Sequence, residues 1–336
     1  MARRFVGPLL SANAQSAQNA DAGDCFSISD APACLPGLIN IGVQKAGTGE
    51  LQTWLGVHPS VIVHGGEVHF FDRMERPRGC GLTRRGTLRL RYARYLFRRL
   101  RAGEHNLAHK LFFEKTPAYF DLVNPNILAC AVPSARLLVM LREPSARAKS
   151  AYAMCQREMQ AKWCKAPFHD VVDRILLYKG NATGVRPRAS QRLLKRLPHL
   201  RRLLTMGHYA VYLQRWLVAF KAYQIGVIWL EQFKADPFVC MQEVERFAGL
   251  PHYPYRLRAT RNKAGLYVVG SSKSTYERNM RAGVQRLSSA ELLLASVRSR
   301  LTTSLLRAYY APWQSRLHKL LDATNLTLVR VPPPPH

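Results

Sequence analysis

Leu38-Ile-Asn-Ile-Gly-Val-Gln-Lys-Ala-Gly-Thr-Gly-Glu-Leu-Gln-Thr-Trp-Leu55 is the stretch that decides the fold. Its first six residues, Leu38 to Val43, form a short, mostly apolar run. Such a run reads as a strand buried on both faces, the kind that parallel sheets contain. Gln44 to Gly47 make a tight loop, and Thr48 is placed to cap a helix whose Leu51, Trp54 and Leu55 share one face. Outward from this unit lie four more short apolar runs: Val61 to His64, Leu111 to Phe113, Leu137 to Leu141 and Val227 to Leu230. Helical sequence follows from Pro144 and again from Asp236 to Phe247. Short apolar strands alternating with helices predict an α/β fold, a central parallel sheet flanked by helices.

The chain has 336 residues and is 47% hydrophobic, enough for a substantial core in one large domain or two. Residues 11–34 are rich in Ala, Ser, Asn, Gln and Asp. This composition predicts a flexible leader over residues 1–34, a domain over 35–330 and an extended proline-rich tail over 331–336. The apolar run within Met1 to Leu10 is too short and broken for a signal peptide or a membrane span, so no membrane segment is expected.

The formal net charge is +29. Such a surface attracts polyanions: nucleic acid, anionic membrane, acidic polysaccharide or a polyphosphorylated cofactor. Arginine is dense over Arg73 to Arg101 and over Arg186 to Arg202, interleaved with leucine and tyrosine. That pattern predicts basic amphipathic helices rather than a basic tail. The forked guanidinium suits sulfate and carboxylate groups. Seven cysteines are present without a CxxC pair, so no structural zinc site is expected. Cys25 with Cys34, and Cys155 with Cys164, are close enough to close small disulfide loops; reduced thiols in a cytosolic enzyme are the alternative. The sequons Asn181-Ala-Thr183 and Asn325-Leu-Thr327 favour a secretory lumen.

The loop from Ile41 to Gly49 carries the first chemistry. Backbone N–H groups at a helix start face a bound anion, and the helix dipole adds to the attraction. Lys45 brings a full charge, Thr48 a hydroxyl and Gly47 a close backbone approach. The lysine precedes the second glycine and no Lys-Ser/Thr pair opens the helix, so this is not a Walker A loop. A second strand-turn-helix runs from Leu137 to Tyr152, with Arg142 at the strand end and Ser150 two turns into the helix, able together to grip a further phosphate. Glu67-Val-His-Phe-Phe-Asp72 and Glu114-Lys-Thr-Pro-Ala-Tyr-Phe120 complete the set.

In this order the motifs resemble the PAPS-dependent carbohydrate sulfotransferases, closest to the heparan sulfate 3-O- and N-sulfotransferase group (PAPS is 3′-phosphoadenosine 5′-phosphosulfate). Gln44 to Leu51 resembles that family's 5′-phosphosulfate loop, and Arg142 to Ser150 its 3′-phosphate motif. Glu67 to Asp72 is similar to the segment that carries the catalytic base, and Glu114 to Phe120 to one with a lysine near the reaction centre. Gly207 to Trp216 and Tyr309 to Trp313 are similar to later helices. The resemblance covers Leu35 to Leu321. Gln44 and Gly49 stand where relatives often carry arginines, and the family's C-terminal cysteine pair and Lys-Gly-Arg loop are not recognisable near Lys263, Lys273 and Tyr276.

The resemblance implies a P-loop-like sulfotransferase fold and transfer of a sulfuryl group from PAPS to a glycan, acidic or neutral, with 3′-phosphoadenosine 5′-phosphate as product. A hydroxyl acceptor is favoured over an amine. Lys45, Ala46, Gly47, Thr48, Gly49, Arg142 and Ser150 are expected to bind the cofactor. Glu67 is expected to act as general base, with Lys45, Lys115 and His69 in the catalytic group, and Lys115, His69, Asp72 and Arg73 on the acceptor. The alternative for Lys115 is an ion pair with Glu114 or another carboxylate. In an extended segment His69 falls on the same side as Glu67. No metal and no nucleic acid are expected, and the family places such an enzyme in the Golgi lumen. Two other readings compete: a nucleotide kinase, against which the missing Walker A loop counts, and a non-catalytic binder of polyanions.

Overall fold

The structure is a computed structural model that describes residues 9–28, 31–74, 81–97, 110–159, 164–176, 198–269, 289–326 and 328. Residues 186–197 of the second arginine-rich stretch, the Asn181 sequon, Lys273, Tyr276 and the tail 331–336 lie outside them. By its contacts the chain divides into two units, one holding residues 1–142, 212–272 and 324–336 and the other 143–211 and 273–323.

The first unit corrects the expected leader. Strands β1 (Leu9–Ser11), β2 (Cys25–Ile28) and β3 (Ala31–Cys34) form a small sheet, with β1 parallel and β3 antiparallel to β2. A disulfide joins Cys25 to Cys34. The segment packs on a basic helix, α2 (Leu82–Phe97, after α1 at Thr48–Leu55). Arg89 of α2 is buried and donates to the carbonyls of Ala17 and Ala131. A Cβ on Gly86 would stand 2.0 Å from the Ala14 carbonyl oxygen, which measures how close the two backbones come. Polar composition misleads here because the segment is held by a covalent link and by another helix, not by its own apolar residues.

The main sheet has five parallel strands: β4 (Leu38–Gly42), β5 (Val61–Val63), β6 (Leu111–Lys115), β7 (Arg136–Leu141) and β8 (Ile225–Trp229). Their order is β5-β6-β4-β7-β8. They fall on the five apolar runs of the sequence, and every residue of β4 and β6 is buried. The helices include α3 (Tyr119–Leu122) and α4 (Pro125–Ala131). On α1, Leu51, Trp54 and Leu55 are buried as their spacing predicts. The Trp54 ring meets those of Phe233 and Phe238 edge-on, with centroids 5.8 and 5.7 Å apart. The outer edge of β8 is covered: Val227 N–H donates to the Leu326 carbonyl and Leu328 N–H to that of Val227. Helix α2 is amphipathic as expected, with Leu90, Tyr92, Ala93 and Leu96 inside and Arg84, Arg91 and Arg94 outside.

The second unit contains α5 (Pro144–Met154), α6 (Phe168–Leu176), α7 (Pro198–Thr205) and most of the long α11 (Ser289–Thr324). Between them in the chain come α8 (Tyr209–Ala219), α9 (Leu230–Ala235), α10 (Pro237–Ala248) and the hairpin β9 (Ala259–Arg261) with β10 (Tyr267–Val269). Ala148, Tyr152, Val172, Leu203, Leu306 and Tyr310 form the second unit's core. A disulfide joins Cys155 to Cys164, as their spacing allowed. His208 stacks on Trp313 at 3.8 Å and bonds through Nε2 to the Tyr309 hydroxyl at 2.9 Å. This brings together two sequence segments that stand a hundred residues apart.

Candidate active site

In open parallel sheets, ligands bind outside the carboxyl ends of the strands. Four adjacent strands of the first unit deliver the expected groups there. The Lys45 loop follows β4, Glu67 follows β5, Lys115 ends β6 and Arg142 follows β7.

The loop is shaped by two left-handed residues. Gly47 has φ +86°, and a Cβ there would stand 2.5 Å from Leu230 Cδ1, so conformation and space both call for glycine. Lys45 has φ +70°, a conformation that a residue with a side chain keeps only when its surroundings hold it. Part of that hold is Arg142, whose Nη1 donates to the Lys45 carbonyl at 3.2 Å. Thr48 is not the cap. It is the first helical residue and is buried, while Gly47 occupies the cap position and accepts from the N–H groups of Glu50 and Leu51. Ala46 is fully buried beneath the turn. Beside Gly49 nothing lies within 4 Å of where a Cβ would stand. The first N–H groups of a helix have no intrahelical acceptor and its dipole is positive at that end. Loop, Lys45 and Arg142 therefore form a cationic, donor-rich cradle with open space next to it.

The segment after β5 is a loop, so the alternation of an extended strand is not what places His69 beside Glu67. His69 adopts φ +55°, and this turn brings its ring back to Glu67. Nε2 lies 3.0 Å from Glu67 Oε2 and Nδ1 lies 2.7 Å from Asp72 Oδ2. Lys115 Nζ donates to Glu67 Oε1 at 3.2 Å. The four groups form one chain: lysine, carboxylate, imidazole, carboxylate. Exposure peaks at Glu67. The Glu67 side chain is 41% exposed, against 23% for His69, 8% for Lys115 and 7% for Asp72. The carboxylate open to a solvent-borne acceptor is thus the one whose partners are rooted in the protein. Arg73, beside Asp72, is exposed.

The ion pair considered for Lys115 forms, with Glu67 and not with its neighbour Glu114. Successive side chains of a strand point to opposite faces, so β6 sends the two residues apart. Glu114 is fully buried and receives hydrogen bonds from the hydroxyls of Tyr92 and Thr116, the latter at 3.2 Å. Burial pushes its carboxyl up to about 7 in spite of these donors. Tyr92, Thr116 and Tyr119 were not named as site residues, although Thr116 and Tyr119 stand within the Glu114–Phe120 motif.

Ser150 lies on the second turn of α5, in the second unit. The start of α5 is filled by the chain's own carboxylate: Glu143 accepts from the N–H groups of Ser145 and Ala146 at 3.0 and 2.7 Å. Among the described residues, no group of three or more His, Cys, Asp and Glu side chains could hold a metal ion.

Comparison with known proteins decides the family. Residues 36–284 match the sulfotransferase domain. The chain belongs to the sulfotransferase domain family. This sulfotransferase is 31% identical over 229 residues to the human bifunctional heparan sulfate N-deacetylase/N-sulfotransferase 3, a match that covers 66% of this chain and 23% of that protein. It is 27% identical over 218 residues to the mouse heparan sulfate glucosamine 3-O-sulfotransferase 5, covering 65% of this chain and 54% of that one. The sulfotransferase therefore matches less than a quarter of the length of the first relative and about half of the second. A sulfotransferase from Alicyclobacillus acidocaldarius shares its fold: the crystal structure superimposes with a TM-score of 0.55 over 85% of this chain and 96% of that one, at 21% identity.

Proposed function

We propose that this sulfotransferase transfers the sulfuryl group of PAPS to a hydroxyl of a glycan, with Glu67 as general base. The observation that carries the reading is the chain Lys115–Glu67–His69–Asp72, seated at the carboxyl ends of the strands that also present the Lys45 loop and Arg142.

The cradle fits a phosphosulfate. Its donors are N–H groups, a lysine and a hydroxyl, and the space beside Gly49 is open. PAPS supplies a sulfuryl group on a phosphate that leaves readily. Lys45 neutralises charge on the leaving oxygen, helped by the N–H groups at the start of α1. Gly47 lets the backbone approach, and Thr48 adds its hydroxyl. Arg142 is assigned the 3′-phosphate through its forked donors; the matching role for Ser150 rests on the resemblance alone. Glu67 takes the proton of the acceptor hydroxyl. His69 and Lys115 orient that carboxylate, and Lys115 is also placed to meet charge on the transferring group. Asp72 holds the far side of His69.

For the acceptor, the names of the two relatives point to a heparan-sulfate-like glycosaminoglycan. The outward arginines of α2 and the exposed Arg73 suit an acidic chain. One relative is named for N-sulfation and the other for 3-O-sulfation, so an amine acceptor is the second reading. Membership of a sulfotransferase family removes the kinase reading. A binder without catalysis would not require a carboxylate base at the strand ends. The disulfides Cys25–Cys34 and Cys155–Cys164 suit an oxidising lumen such as the Golgi.

The test is Glu67→Gln. The variant should bind 3′-phosphoadenosine 5′-phosphate as the parent does in calorimetry, while kcat falls on the order of 10²- to 10⁴-fold. An unchanged kcat would remove Glu67 from the base's role.

A further inference from the structure

The segment that carries Glu67 and His69 is neither helix nor strand, yet it holds a left-handed residue and a carboxylate in register with Lys115. Its support comes from residues more than forty positions further along the chain. Val68 N–H and His69 N–H both donate to Thr116 Oγ1, at 3.0 and 3.2 Å. Phe70 N–H and, more weakly, Phe71 N–H donate to the Tyr119 hydroxyl, at 3.1 and 3.5 Å. Four consecutive N–H groups thus rest on two hydroxyls.

A threonine hydroxyl has two acceptor sites and one proton. With both acceptor sites taken by N–H groups, the Thr116 proton must go elsewhere, and it goes to Glu114 Oε2 at 3.2 Å. Tyr119 lies close enough to Glu114 for the carboxylate's charge to act on its phenol. Tyr92 of α2 donates to the other carboxylate oxygen. Burial, reinforced by Glu114 itself, pushes both tyrosines well above the usual phenol range, so both remain donors.

We propose that Glu114 is a positioning residue for sulfuryl transfer: by accepting the proton of Thr116 it turns that hydroxyl into an acceptor for the Val68 and His69 N–H groups, and so holds Glu67 and His69 in place. The proposal rests on Glu67 being the base. The oxygen that serves Thr116 is Oε2, and the side facing Tyr92 is Oε1. A glutamine can keep an oxygen towards Thr116 and turn its amide N–H towards the Tyr92 oxygen. Leucine offers neither. Thr116→Val removes the intermediate hydroxyl while keeping its shape.

The experiment measures kcat, KM for PAPS and thermal stability for Glu114→Gln, Glu114→Leu, Thr116→Val and the Leu/Val double variant, with Glu67→Gln alongside. Loss of positioning near a reacting group costs on the order of 10²-fold in rate. Glu114→Leu and Thr116→Val should each lose about that much kcat with KM for PAPS unchanged, since the Lys45 loop is untouched. The double variant should be no slower than the worse single one, because both changes break one support. Glu114→Gln should keep parental kcat. Folded Thr116→Val at parental kcat with Glu67→Gln inactive overturns the positioning role and leaves the base intact. Multiplying losses in the double variant, or a glutamine variant as slow as the leucine one, overturn it as well. An active Glu67→Gln overturns the base and the positioning role with it.

Discussion

Glu114 shows two residue-scale effects in opposition. Three hydroxyls from Tyr92, Thr116 and Tyr119 favour its ionised form, while full burial and the nearby Asp72 disfavour it, and burial dominates, raising the carboxyl from 4.5 to about 7. A carboxyl raised on folding binds its proton more tightly in the folded state. Its contribution to stability is therefore complete below the unfolded value and is lost as pH rises through about 7. Between pH ~5.5 and ~8 the parent should lose roughly 2 kcal/mol from this group. Glu114→Gln has no such proton, so denaturant unfolding of parent and variant at the two pH values should show a gap moving by that amount in the variant's favour. A gap that does not move with pH would mean that Glu114 ionises normally despite its burial. The pairing of Glu67 with Lys115 lay within reach of the sequence because both stood in motifs. The role of Glu114 did not, because nothing in Glu-Lys-Thr says which side chain turns inward until the strand's register is known.

At the scale of elements, the βα turn between β4 and α1 decides whether the cradle forms. Gly47→Ala introduces a Cβ at φ +86° and 2.5 Å from Leu230 Cδ1. The left-handed conformation alone costs about 1–2 kcal/mol. The turn should relax away from its anion-binding shape, and affinity for 3′-phosphoadenosine 5′-phosphate should fall by at least about tenfold, or roughly 1.4 kcal/mol. Calorimetry reads the affinity and a melting curve reads the stability. Unchanged affinity would place the nucleotide elsewhere. The five strands and this helix were legible because burial on both faces leaves continuous apolar runs, and a helix face leaves its own spacing. The turn at His69 was not legible because it is imposed from outside, by Thr116 and Tyr119. The Thr48 cap failed because Gly47 already supplies the turn.

At the scale of the molecule, composition spoke clearly about charge and poorly about the N-terminal segment. Residues 9–34 look like a polar leader, but a disulfide closes Cys25 onto Cys34 and the buried Arg89 of α2 holds the Ala17 carbonyl. The Arg89 tie joins positions 72 apart and leaves no periodic trace. The net charge of +29 fits a polyanionic acceptor and a phosphorylated donor alike, so charge alone did not choose the chemistry. The choice came from several short motifs in one order, which the fold gathers at the carboxyl ends of four neighbouring strands. The measurement that tests this account most directly is sulfate transfer from radiolabelled PAPS to heparan, chondroitin and neutral polysaccharides, by the parent and by Glu67→Gln. The account predicts label on a glycan with the parent and none above background with the variant. Equal labelling by both, or none on any glycan with a folded parent that binds 3′-phosphoadenosine 5′-phosphate, would contradict it.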